Sequence, residues 1–310
     1  MKNHFLYLLL FLAFSHGQQP YSFQDSLLVF GHHKSQMQWL KNQTLSAETQ
    51  YKLGLIYFDQ AAYYKAVLYF QKAVDQQDKL LYWLKYISAL KKLNRYGEVE
   101  KALLLLKEKF PENEELEYKL AKAYQAQYKF YKALEAYEYL LQKDSLNINY
   151  QFDMGTVFMA QENYSKAIDQ FLNVYAQDST HFKNLYRLAA CYQKLKMPDS
   201  TYLFIYRGLK IRPDHKNLNR LYINQLRRDN RINAAINVLQ KQDSLYPQEF
   251  FNKKSLGLCF YNQNQWNIAA EYFKAALKLN PEDYKARTYL GHIALHQKQY
   301  QNAFFSTPLQ

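Results

Sequence analysis

The amino-acid sequence predicts an all-α fold, a solenoid in which short helix-turn-helix repeats stack on one another. Three observations lead to this prediction: a residue pattern returns at a nearly fixed period, its spacing fits two amphipathic helices, and prolines end several units. Helix breakers are otherwise rare, since the 310 residues include only 8 Gly and 7 Pro.

The period is clearest at one position in the first predicted helix of each unit, which is often small. This position recurs about every 34 residues, and only the first step is shorter, by one. The eight positions are Gly54, Ile87, Ala121, Gly155, Ala189, Ile223, Gly257 and Gly291. One pair of short helices cannot bury its apolar face alone, so a repeat of this length indicates a stacked array.

Each unit has a fixed internal order, which the stretch around Gly257 illustrates. The large Phe260 follows the glycine, then come the small Ala269 and the large Phe273, and Pro281 closes the unit. These spacings are typical of two amphipathic helices that approach closely at their small residues. Proline cannot continue a helix, so it ends the second helix and sets the start of the next unit.

This layout resembles the tetratricopeptide repeat family, whose pattern runs W…LG..Y…A…F..A…P over about 34 residues. The resemblance covers residues 47–310, about seven full units plus one partial unit, and implies a right-handed α-solenoid. The Trp near each unit start is kept only at Trp83. Pro198 stands where an aromatic is usual, so the second helix of that unit is expected to start late or lean.

Residues 1–17 fit a secretory signal peptide. A basic start is followed by an apolar run over residues 5–14 and by the small-residue site Ser15-His16-Gly17. The sequence therefore predicts export to a periplasm, the cell surface or the medium, and its Tyr, Lys, Asn and Gln usage favours a bacterium. A retained anchor is the alternative. No transmembrane segment is predicted in the mature chain.

Residues 18–46 precede the array and are predicted to form an N-terminal capping helix. The array is predicted to span residues 47–310, with an incomplete last unit whose second helix is interrupted by Pro308. Either the chain is truncated relative to its relatives, or a partner covers this end.

Composition argues against an enzyme and predicts neither a cofactor nor a metal. No phosphate-binding GxxxxGK[ST] loop and no GxSxG nucleophile turn occurs. His292 and His296 are four residues apart, but no Asp, Glu or Cys at helical spacing completes a metal site. Cys191 and Cys259 hold the same position two units apart, too far for a disulfide, and are predicted to be buried free thiols.

Charge is uneven along the chain. Residues 1–180 contain 20 Lys/Arg and 19 Asp/Glu, whereas residues 181–310 contain 20 and 8. This asymmetry predicts an acidic partner or an anionic surface near the C-terminal part. Nucleic acid is not expected as a partner, because the chain has a signal peptide and lacks a dense Lys/Arg run.

The family resemblance implies that the first helix of each unit lines a concave ligand groove. In the last four units its candidate residues are Lys183, Tyr186, Lys194, Asn217, Arg220, Asn224, Arg227, Arg228, Lys254, Tyr261, Lys285 and His292. Arg220 and Asn224 also match the first pair of a clamp with which some family members hold a peptide carboxylate. Ser255 and Tyr289 depart from that clamp, and a generally basic, solvated groove is the alternative.

These features together predict an exported, non-enzymatic scaffold that binds a protein or peptide, with acidic groups or a free carboxylate preferred. Two alternatives stay open. The basic part could bind an anionic glycan or membrane surface, or the chain could be the sensory repeat region of a larger signalling protein.

Overall fold

The computed structural model describes residues 46–297. Within that range the chain forms fifteen α-helices and no strand, and the predicted all-α array of helix-turn-helix repeats is confirmed. The chain divides into two compact units, Met1–Lys143 and Asp144–Gln310. The predicted signal peptide, the capping segment up to residue 45 and the second helix of the last repeat lie outside the described residues.

The helices come in pairs, in which the first has 13 residues and the second 14. The first unit contains α1 (Ala47–Asp59), α2 (Tyr63–Gln76), α3 (Leu80–Lys92), α4 (Tyr96–Lys109), α5 (Glu114–Ala126) and α6 (Phe130–Lys143). The second unit contains α7 (Ile148–Ala160), α8 (Tyr164–Gln177), α9 (Phe182–Lys194), α10 (Pro198–Ile211), α11 (Lys216–Arg228), α12 (Ile232–Leu245), α13 (Phe250–Asn262), α14 (Trp266–Leu279) and α15 (Tyr284–His296). Within each unit, every helix packs mainly on its neighbours in the chain.

One small-to-large contact sets the distance between the two helices of a pair. Three glycines each lie sixteen residues before a fully buried phenylalanine, in the pairs Gly54–Phe70, Gly155–Phe171 and Gly257–Phe273. A Cβ added to these glycines would lie 2.5, 2.7 and 2.8 Å from the ring, respectively. Where the first position holds Ile223, the residue sixteen later is the smaller Leu239, also fully buried. The two positions therefore share one volume.

Every complete helix pair is joined by the same three-residue turn. Its middle residue has positive φ, and these residues are Ala61, Asn94, Tyr128, Glu162, Lys196, Asn230 and Asn264. The next N–H donates to the carbonyl five residues back, as from Asn163 to Phe158 at 2.9 Å. This is the Schellman ending of a helix, and its left-handed position is one that glycine usually fills. In these seven turns it is never glycine.

Most repeats of this chain have another residue where the family has Trp, and the structure explains several of these differences. Several polar residues at that position reach back to the loop that precedes their own helix. Gln151 donates to the Ser145 carbonyl at 2.7 Å, and Asn219 to the Pro213 carbonyl at 2.8 Å. Arg287 does the same to Pro281 at 2.7 Å. A hydrogen bond thus ties the loop to its helix where the family uses a large ring.

The expectation that Pro198 would delay its helix is wrong. Helix α10 begins at Pro198 and has the same 14 residues as the other second helices. Proline fits the first helical position because its missing N–H has no partner there in any case and its φ suits the helix. The predicted free thiols are confirmed, since Cys191 and Cys259 are buried and unpaired.

We expect Gly257→Ala to destabilise the protein by about 1–3 kcal/mol, because the added Cβ collides with a ring that has no room to move. Adding Phe273→Leu should recover part of the loss. The control is Gly97→Ala in α4, where an added Cβ meets nothing within 4 Å. Thermal and denaturant unfolding would measure both, and equal effects of the two glycine substitutions would refute the shared-volume argument.

We expect Glu162→Gly to stabilise the protein by about 1 kcal/mol, because a non-glycine residue at φ 59° carries left-handed strain. Glu162→Ala is the matched control, since it removes the same side chain and keeps the strain. Denaturant midpoints should rise for glycine and not for alanine. A rise of similar size in both would show that the carboxylate, rather than the backbone, is responsible.

Candidate ligand-binding face

The first helices of the second unit form a continuous row. Helices α9 and α11 touch directly, and Gln193 Nε2 in α9 donates to the Leu221 carbonyl in α11 at 2.9 Å. Rings join the next helices, with Tyr261 and Tyr289 at 4.8 Å between centroids. We call the exposed and half-buried side chains of α9, α11, α13 and α15 the first-helix face.

All twelve predicted residues belong to this face, and none of them is buried. Six are exposed: Lys183, Lys194, Asn217, Arg228, Lys285 and His292. Six are half-buried: Tyr186, Arg220, Asn224, Arg227, Lys254 and Tyr261. The twelve residues also differ in whether other side chains of the chain already pair with them. This pairing decides which of them are open to a ligand.

A ladder of contacts runs between consecutive repeats at the N-terminal ends of the first helices. In the second unit, the side chain five residues after the N-cap of α7, α9, α11 and α13 contacts the N-cap residue of the next first helix. Two steps are ring contacts, Phe152 with His181 at 5.4 Å and Tyr186 with His215 at 6.1 Å. The other two are ion pairs, Arg220 with Glu249 and Lys254 with Asp283. We call this the N-cap ladder.

Glu249 pairs with the guanidinium of Arg220, the residue that was expected to be the first member of a carboxylate clamp. It accepts hydrogen bonds from Arg220 and forms a second ion pair with Lys216. Burial alone would raise the pKa of Glu249, but Lys216 and Arg220 outweigh it and hold that pKa below its ordinary value. The Arg220 guanidinium also lies 4.9 Å from the Phe251 ring centroid. Arg220 is therefore already engaged by the chain itself, although it shares the Glu249 carboxylate with Lys216 and its shielded Nε has no hydrogen-bond partner in residues 46–297.

Lys254 is occupied in the same way by Asp283. Its Nζ donates to the carboxylate at 2.6 Å, while the other carboxylate oxygen caps α15 by accepting from the Ala286 N–H at 2.7 Å. Burial acts to raise the pKa of Asp283, and these bonds lower it on balance. The sequence reasoning missed both acids, Glu249 and Asp283. Each lies 29 residues after its basic partner, which is the repeat period of 34 less the five-residue step of the N-cap ladder.

Rings surround the predicted residues at the C-terminal end of the row. Tyr261 packs edge-on against Trp266 at 4.9 Å and Tyr289 lies 6.1 Å from His292. His296 stacks on Trp266 at 4.7 Å with an interplanar angle of 11°. Among residues 46–297, no group of three His, Cys, Asp or Glu side chains is placed to hold a metal ion.

The remaining cations of the face are open. No ion pair involves Lys183, Lys194, Arg227, Arg228 or Lys285 among the described residues. Arg227 is half-buried, and its Nε is shielded from solvent without a hydrogen-bond partner in residues 46–297. Arg228 makes one long bond to the Gln193 carbonyl at 3.3 Å. These side chains can still receive an anion.

The first unit also carries positive charge on its first helices. Lys91 in α3 is exposed, yet burial by its surroundings lowers its pKa, and the charges of Lys119 and Lys122 in α5 lower it further. Positively charged side chains therefore also cluster on the first helices of the first unit, whereas the net charges alone indicated only the second unit.

No helix of the described range combines the length and the apolarity needed to cross a bilayer. The architecture defines a helical repeat scaffold. A family model of the tetratricopeptide repeat matches residues 118–181 and 255–306. Together with the regular succession of helix pairs, this shows that the chain is built of tetratricopeptide repeats.

Solved structures share the fold at low sequence identity. A tetratricopeptide repeat protein from Parabacteroides merdae is 14% identical with a TM-score of 0.59, and the match covers 72% of this chain and 89% of that one. YrrB, a tetratricopeptide repeat protein with an unusual peptide-binding site, gives 18% and 0.51, over 64% and 99%. MamA gives 18% and 0.51, over 56% and 94%. No curated protein matches this chain.

We expect part of the pH dependence of stability to come from His215. Its Nδ1 caps α11 by accepting from the Leu218 N–H at 3.2 Å, which requires the neutral ring. Burial lowers the pKa of His215 below its ordinary 6.5, and Arg212 lowers it further. A depressed pKa means that this contribution is present above about pH 6.5 and is lost as the pH falls through the folded value.

The variant His215→Asn keeps a capping oxygen and removes the titration. Thermal unfolding at pH 7.5 and pH 5.0 should show a smaller loss for the variant, by about 1 kcal/mol at most. Parallel losses in the two proteins would contradict the assignment to this cap.

Proposed function

We propose that this protein is a non-enzymatic scaffold that binds a segment of another protein along the first-helix face of its second unit. The partner segment carries acidic side chains or a free carboxylate. One observation carries the proposal: several cations of this face form no ion pair among residues 46–297, namely Lys183, Lys194, Arg227, Arg228 and Lys285, whereas Arg220 and Lys254 are paired. Unpaired guanidinium and ammonium groups can make charge-assisted hydrogen bonds to a ligand carboxylate.

The rest of the face supports recognition of a polypeptide. Asn217 and Asn224 offer amides that can bond a peptide backbone, while Tyr186 and Tyr261 offer half-buried rings. The similar fold of YrrB, which has a peptide-binding site, is consistent with this use. At that level of identity the likeness supports the fold alone, so the ligand is inferred from the residues of this chain.

Binding of an anionic glycan or a membrane surface is the second candidate. The excess of exposed Lys and Arg in residues 181–310 favours it. Such binding would depend on charge density and would fall steeply with salt. It would not need the particular positions of Arg227 and Lys183, and this separates the two candidates.

The signal-like pattern of residues 1–17 supports a further proposal, that the protein acts outside the cytoplasm, in a periplasm or at a cell surface. A role as the sensory repeat region of a larger signalling protein is compatible with the same face.

The function is tested with labelled peptides that alternate Glu and Ala, with a free or an amidated C-terminus. We expect Arg227→Gln combined with Lys183→Gln to weaken binding about tenfold. The control is Lys210→Gln combined with Lys278→Gln, the same charge change at exposed positions of second helices. Fluorescence anisotropy gives the affinities, and circular dichroism confirms that the variants are folded.

Equal weakening by the two double variants would reject the face and favour diffuse charge. Binding of anionic vesicles or heparin in place of every peptide would favour the second candidate.

A further inference from the structure

A cleft opens at the edge of the second unit where the first helices end. It has a volume of about 460 Å³ and is lined by Gln193, Lys194, Lys196, Pro198, Gln225, Arg228 and Asp229. These residues come from the end of α9, the turn into α10 and the end of α11. We call it the turn-edge cleft.

Three cations and one carboxylate line the cleft. None of Lys194, Lys196 and Arg228 forms an ion pair among the described residues. Asp229 is already engaged, because its carboxylate accepts from the Tyr202 hydroxyl at 2.7 Å and from Gln225 Nε2 at 3.1 Å. The positive charge in the cleft is therefore largely uncompensated.

The backbone adds to this positive character. Helix α10 begins at Pro198, and the preceding Met197 supplies no side-chain cap. The first turn of a helix carries partial positive charge and free N–H groups, which favour an anion. In α10 this turn already contains the exposed Asp199, so the helix end is a smaller contribution than the three cations. The opposing carbonyl at the end of α9 is partly covered, since Arg228 Nη1 donates to Gln193 O.

This concentration of charge belongs to one junction between repeats. Lys194 and Arg228 hold the same repeat position, which carries Ala126 and Ala160 in the two preceding repeats and Asn262 in the next. Lys196 takes the left-handed turn position at φ 57°, where asparagine occurs in three other repeats and costs less. Ala61, Tyr128 and Glu162 take the same conformation in other turns, so the strain belongs to the turn itself. What is particular to this junction is that three cations line one cleft, and a bound anion would offset their mutual repulsion.

We propose that the turn-edge cleft binds a carboxylate of the partner segment, either an acidic side chain or the chain terminus. The inference rests on the proposed function and adds where the acidic group lies: at the C-terminal ends of α9 and α11, away from the N-cap ladder. The segment then crosses the face with its carboxylate toward this edge and its backbone toward Asn224.

The test uses the full chain and three probes: acetyl-tetraglutamate amide, acetyl-tetraglutamine with a free C-terminus, and inorganic phosphate. Isothermal titration gives each affinity. We expect Lys194→Gln combined with Lys196→Asn to weaken both carboxylate probes about tenfold, whereas Lys210→Gln combined with Lys278→Gln changes them less than twofold. The two peptides separate a side-chain carboxylate from a terminal one.

Two single variants separate charge from folding. Lys196→Asn suits the left-handed turn, so it should raise the unfolding temperature while it lowers affinity. Asp229→Asn removes the one negative charge of the lining and should tighten binding severalfold. Unchanged affinity in Lys196→Asn, or weaker binding in Asp229→Asn, would overturn the proposal.

Failure of this inference differs from failure of the proposed function. If Arg227→Gln with Lys183→Gln weakens the peptides and the cleft variants do not, the face binds the partner and the cleft is not its carboxylate site. If phosphate binds as tightly as either peptide and competes with it, the cleft is a general anion site and the carboxylate assignment is wrong.

Discussion

The structure depends on the volume shared by one position in the first helix of a pair, which is often small, and the buried residue sixteen positions later. At Gly257 the first helix comes so near Phe273 that no Cβ fits between them. Protein interiors are close-packed, so atoms in such a contact cannot move closer together or further apart, and this contact fixes the separation of the two helices. Because the pairs repeat this separation and the same two helix lengths, successive first helices within a unit fall side by side. The first-helix face is a consequence of that regularity.

The N-cap ladder builds on the same spacing and joins each repeat to the next. A side chain five residues into one first helix meets the N-cap of the following helix, whether the pair is Phe152 with His181 or Lys254 with Asp283. Acids at a helix N-terminus are favoured by the helix dipole, so Asp283 gains both from its own helix and from its neighbour's lysine. Partly buried charges of this kind are stable only when both partners are present.

Much of this architecture could be predicted from the sequence, and the limits have physical causes. The recurrence of Gly54, Gly155 and Gly257 indicated the repeat because packing acts through local volume, which residue types report directly. The ion pair of Arg220 with Glu249 could not be predicted in the same way, since pairing depends on which side chains the stacked helices bring together. Pro198 was misjudged because its effect depends on whether it falls at the first helical position or inside the helix.

The candidate face was also only partly predictable, because pairing depends on which side chains the stacked helices bring together. All twelve residues lie on it as solvent-accessible side chains of the first helices, and their role in binding stays a prediction. Their availability was not predictable, because it is set by partners such as Glu249 and Asp283 that come from the next repeat. The sequence therefore indicated the surface, whereas the structure separates its occupied cations from its open ones.

The acids of the second unit are placed mainly beside helix N-termini. Among the described residues, five of the eight acids that follow residue 180 form ion pairs: Asp214, Asp243, Glu249, Glu271 and Asp283. Three of these acids lie at or beside the N-terminal ends of first helices, whereas Lys194 and Arg228 at the C-terminal ends of α9 and α11 have no ion pair in residues 46–297. The helix dipole alone would favour Lys194 and Arg228 there, since cations stabilise a C-terminus. The dipole does not account for Lys196, which lies in the turn after α9 and adds a third cation to the lining of the same cleft. In the proposed complex one carboxylate would face all three cations, and this juxtaposition is what separates the proposed site from a helix end that is merely well stabilised.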